Sequence, residues 1–88
     1  MDMHIIDDKK FDWLRITQYG DGDFRFVVLA ERNERTGLWN LRIEEANVKT
    51  GVAKVVQKHV GLTSVQVATK FDRICDLIRT DGRFWLRR

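Results

Sequence analysis

Eighty-eight residues carrying a net charge of +3 are enough for one modest core and leave no room for a second. Hydrophobic residues at 43% beside charged residues at 33% exclude a disordered chain. The longest apolar run, Phe26-Val27-Val28-Leu29-Ala30, excludes a membrane span of ~20 residues.

One cysteine can neither close an internal disulfide nor hold zinc without partners, which points to a reducing compartment. The opening MDMHIIDDKK lacks the apolar stretch of a secretory signal. An intracellular, cytoplasmic protein is expected, with no membrane contact. Charge is uneven along the chain: residues 1 to 31 carry −3 and residues 32 to 88 carry +6. That asymmetry favours a polyanion or an acidic protein surface as partner.

In chain order, residues 1–10 read as a flexible N-terminal arm and residues 11–88 as a single α+β domain. A first strand is predicted over Phe11 to Tyr19, followed by a three-residue glycine loop, Gly20-Asp21-Gly22. That loop pairs Tyr19 with Asp23 and sets Ile16 opposite Phe26. Phe24, Phe26, Val28 and Ala30 then face the core. A four-residue loop at Asn33–Thr36 brings Leu41 and Ile43 onto the same face.

A fourth strand is predicted over Val52 to Val60, its facing left open by Val55-Val56. Thr63-Ser64-Val65-Gln66 fits a capping box, and the helix after it ends at Asp81-Gly82. Val67, Phe71, Ile74 and Ile78 give that helix one apolar stripe. The predicted architecture is α+β: an antiparallel four-stranded sheet with one helix on one face. The tail Arg83–Arg88 supplies a fifth strand or a segment folded over the sheet edge.

A single helix covers one sheet face, so the other is expected to be open. In this register the open face carries Phe11, Trp13, Arg15, Thr17, Tyr19, Arg25, Val27, Leu29, Leu38, Asn40 and Arg42. Flat rings beside guanidiniums suit single-stranded nucleic acid, where each stacked base is worth roughly 1–3 kcal/mol. The candidate nucleic-acid residues are Trp13, Arg15, Tyr19, Arg25 and Arg42, joined by the tail residues Arg83, Trp85, Arg87 and Arg88.

The aliphatic members of the same face suit protein instead. On that alternative the protein is an interaction module, a small inhibitor or accessory factor, docking on another chain or on a second copy of itself. Trp13, Val27, Leu29 and Leu38 would line the interface. Neither catalysis nor a metal or cofactor is expected: His4 and His59 are the only histidines, and no H-x-x-x-H, C-x-x-C or glycine-rich phosphate loop occurs.

Overall fold

The computed structural model describes residues 3–82 and 84. Five strands, β1 His4–Lys10, β2 Leu14–Asp21, β3 Phe24–Arg32, β4 Trp39–Asn47 and β5 Ala53–Leu62, precede one helix, α1 Ser64–Asp81. The strands form one antiparallel sheet in the order β1-β2-β3-β4-β5. The fold is thus α+β, with the helix laid across one face. The fifth strand comes from the N-terminal end: His4–Lys10, expected as an arm, pairs along β2. The strand expected from the tail lies outside the described residues.

The β2–β3 connection differs from the three-residue loop expected. Asp21 pairs with Phe24, leaving only Gly22 and Asp23 in the turn, and Gly22 takes φ 59°, the glycine-first arrangement of a two-residue hairpin. The pairing moves by three residues, an odd number, so β2 turns over relative to β3. Arg15, Thr17 and Tyr19 therefore face the helix, and Leu14, Ile16 and Gln18 take the uncovered face. Burial favours this outcome. Tyr19 is 2% exposed and its hydroxyl meets the Cys75 thiol, so a large ring is enclosed with its polar end satisfied. Thr17, also buried, donates to Asp8 Oδ1 at 2.8 Å.

The β3–β4 pairing moves by two residues, an even number, so its faces are as expected. Glu34 to Gly37 make the loop, closed by the Asn33 amide donating to the Leu38 carbonyl at 2.8 Å. Ala30 then pairs with Leu41, and Val28 with Ile43. A register shift between Ile43 and Glu44 resolves the Val55-Val56 ambiguity: Val55 is exposed and Val56 packs against the core. A second irregularity, between Ile5 and Asp7, leaves Ile6 folded over Gly20, where any Cβ would collide with it.

The helix starts where the sequence places it. Thr63 accepts from the Gln66 amide and the Gln66 side chain accepts from the Thr63 amide, a reciprocal cap worth about 1 kcal/mol. Val67, Phe71, Ile74 and Ile78 are all buried, against Tyr19, Phe26, Val28, Ala30, Leu41, Ile43 and Leu62. Each such side chain contributes roughly 1.5–3 kcal/mol. The Arg15 guanidinium lies 4.0 Å from the centre of the Phe71 ring and 3.0 Å from Asp72 Oδ1, tying β2 to the helix flank.

Two tests follow from this core. Phe26→Ala should lower unfolding free energy by about 3–5 kcal/mol in denaturant titrations; a loss below about 1 kcal/mol would place Phe26 outside the packed layer. Burial, chiefly, and the Cys75 contact push the Tyr19 hydroxyl well above its ordinary value. The folded state therefore keeps a proton that the unfolded state releases near pH ~10, and stability present below that pH is lost as pH rises through it. Tyr19 is the only tyrosine, so tyrosinate absorbance should appear together with loss of near-UV dichroism, in one cooperative step. Ionisation near pH ~10 with the fold intact would contradict the enclosed hydroxyl.

Candidate functional site

Three chain segments meet at one end of the sheet. The β1–β2 connection (Phe11-Asp12-Trp13), the β3–β4 loop and the β5–α1 junction all fall there, because every strand of the meander turns at alternate ends. Phe11 and Trp13 stack on each other, with ring centroids 5.8 Å apart and planes 16° from parallel. They are nevertheless 51% and 52% exposed. The connection is held rather than loose: the Phe11 amide donates to the Leu14 carbonyl at 2.7 Å, and the Arg32 amide to the Trp13 carbonyl at 3.0 Å. Trp39, paired with Arg32 and Leu62, adds a third large ring.

Cavities wrap around this end. One of about 320 Å³ lies between the β1–β2 connection and the helix, walled by Phe11, Trp39 and Phe71 with Lys10 and Arg15 beside them. A second, about 620 Å³, shares Asp12, Trp39 and Ser64 with the first and adds Arg32. A third, about 260 Å³, carries Arg32 onto the uncovered face beside Asn40, Arg42 and Lys58. Aromatic walls, amide groups and cations are thus continuous from the helix side to the open side. Lys10, Arg32, Arg35 and Lys58 form no ion pair with any described carboxylate, whereas Asp12, Glu31 and Glu34 supply the local negative charge.

This end gathers some of the residues singled out from sequence and not others. Trp13 and Arg15 belong to it. Arg42 lines the third cavity, its guanidinium held by Glu44 at 2.9 Å and Glu31 at 3.4 Å. Tyr19 is enclosed in the core and offers no ring face to a base. Arg25 sits at the opposite end, donating to the Gly22 and Phe24 carbonyls at 2.7 and 2.8 Å. Arg83, Trp85, Arg87 and Arg88 lie outside the described residues. Of the interface candidates, Val27 and Leu29 are half-buried on the uncovered face and Leu38 is exposed in the β3–β4 loop.

Sequence reasoning passed over Lys10, Trp39 and Lys58 as site residues, and set Arg32 aside as part of a solvated, mixed-charge hairpin tip. Pairing of strand ends is the signal that finds them, since Arg32 and Trp39 flank one hairpin loop.

The uncovered face has a different chemistry. Ile16 of β2 stands opposite Leu29 of β3, flanked by Leu14 opposite Glu31 and Gln18 opposite Val27, and the Glu31–Arg42–Glu44 group runs along their β4 side. Among the described residues no aromatic ring projects from the centre of this face. Elsewhere, burial raises the Cys75 thiol above its usual range, which keeps it protonated and a poor nucleophile. Among the described residues no three His, Cys, Asp or Glu side chains converge to hold a metal ion, and no helix is long and apolar enough to cross a membrane. The chain matches no protein-family model, no curated protein and no solved structure.

Proposed function

We propose that this protein is a small non-enzymatic module that binds single-stranded nucleic acid at the loop end of its sheet. The observation that carries the reading is the Phe11–Trp13 stack, half exposed and held in place beside Arg32 and Lys10. Leaving two large rings in water is unfavourable, and a rigid pair of flat faces is what an unpaired base stacks on. Cations without carboxylate partners then meet the phosphates, while Asn33 and Asn40 offer amides to base edges. Trp13 keeps the role expected from sequence, joined by Phe11, Arg32 and Trp39, whereas Arg15 and Arg42 border the site with their guanidiniums engaged by Asp72 and by Glu31 and Glu44.

Single strands are preferred over duplex because paired bases hide their faces. The helix is also a poor groove reader: Asp72 and Asp76 pair with Arg15 and Arg79, leaving its outer surface close to neutral.

A second reading rests on the aliphatic row Leu14, Ile16, Val27 and Leu29. Such a row, bordered by the internally paired Glu31–Arg42–Glu44 group, suits a protein surface, with a second copy of the chain as occupant.

Trp13→Ala should leave the fold intact and weaken oligothymidine binding by roughly 1–3 kcal/mol, read by fluorescence titration at low salt. Unchanged affinity in the folded variant would count against the loop end. For the second reading, Leu29→Glu should turn a dimer into monomers in light scattering, and a wild type already monomeric at high concentration would dismiss it.

A further inference from the structure

From residue 46 to residue 71 the chain contains no aspartate or glutamate, yet it carries Lys49, Lys54, Lys58, His59 and Lys70. In the fold this stretch is not dispersed. It forms β5, whose outer side is a free sheet edge among the described strands, and the half of α1 nearest to it. Lys70 of the helix lies close enough to His59 of β5 to help hold the imidazole below its ordinary value, after burial. Arg73, one turn further on, extends the row. Among the described residues, Glu45 forms an ion pair with this edge, reaching Lys54 at 3.8 Å, and Glu44 stands opposite Val55. The opposite edge, β1, carries Asp7 and Asp8 beside Lys9 and Lys10 and is neutral overall, so positive charge is in excess on the β5 edge alone.

We infer that the β5 edge, with the flank of α1 above it, is a track for the phosphodiester backbone of the strand whose bases stack at the loop end, an inference resting on that reading. Continuity supports it: Lys58 lines the same cavity as Arg32 and Asn40, so a strand leaving the aromatic end passes directly onto β5. The strand spans ten residues, roughly 33 Å at 3.3 Å per residue, with Lys54 near its start and Lys58 just past its middle. Backbone N–H groups on the free edge add neutral donors for phosphate oxygens. The exposed valines Val55 and Val60 contribute nothing to phosphate binding. Electrostatics therefore supplies this site, and its affinity must fall with salt.

The test pairs two probes with one double variant, Lys54→Glu/Lys70→Glu, both positions exposed and outside the cavities of the loop end; Lys54→Gln/Lys70→Gln replaces it if dichroism shows misfolding. An abasic deoxyribose-phosphate dodecamer reports the track without stacking, and a thymidine tetramer reports the aromatic end without reaching along the edge. The abasic dodecamer should bind the wild type at low salt and lose at least tenfold in affinity with the variant. The log–log salt slope for a thymidine dodecamer should drop by about 1.4, two released counterions at ~0.7 each. Tetramer quenching of tryptophan should stay unchanged.

If the tetramer quenches but the variant binds both dodecamers as the wild type does, the track is overturned and the stacking site stands. If the abasic probe binds and is lost on substitution while the tetramer gives no quenching, the edge stands as a polyanion site and the stacking site falls. An abasic dodecamer that fails to bind the wild type overturns the track outright, whether or not an acidic peptide binds that edge.

Discussion

With Asp21 opposite Phe24, β2 is locked to β3 in the register that sends Arg15, Thr17 and Tyr19 beneath the helix flank. The rest of the structure is arranged around that pairing. It puts the Tyr19 hydroxyl against Cys75 and the Arg15 guanidinium over Phe71, so the helix is fastened to β2 by polar and cation–π contacts as well as by its apolar stripe. It also empties the other face of β2 of aromatic and cationic groups, leaving Leu14 and Ile16 on the same face as Val27 and Leu29. A one-residue slip would exchange these two sets entirely.

The same constraint divides the surface into regions of different chemistry. The uncovered face is aliphatic at its centre and ion-paired along β4, where Arg42 answers Glu31 and Glu44. Rings are pushed to the strand ends, because Phe11 and Trp13 precede the first residue of β2 and Trp39 opens β4. Positive charge accumulates along β5 and the adjoining helix flank, where no carboxylate interrupts the sequence for 26 residues. Aromatic and electrostatic surfaces meet at Arg32 and Lys58.

Much of this was legible in local pattern. The Thr63–Gln66 box and the Val67, Phe71, Ile74, Ile78 stripe depend on spacing within one helix, and both hold. Phe26, Val28, Leu41 and Ile43 alternate so strongly that a two-residue change in the β3–β4 loop leaves their faces intact. The face of β2 was harder, since Ile16 and Leu14 compete with Tyr19 and Thr17 for burial, and Gly20 and Gly22 both suit a turn. Only tertiary contacts, Cys75 with Tyr19 and Asp8 with Thr17, decide between them. The candidate site suffered the same fate: an argument by sheet face grouped Tyr19 and Arg25 with Trp13, although the strand ends bring Trp13 to Arg32 and Trp39.

The most direct measurement is an amide and indole shift map recorded while a thymidine octamer is titrated into labelled protein. The account predicts that the Trp13 and Trp39 indoles and the backbone around Phe11 and Arg32 move first and furthest, with Val27 and Leu29 unmoved. Shifts confined to Val27, Leu29 and Ile16, or none at saturating oligonucleotide, would contradict a base-stacking site at the loop end.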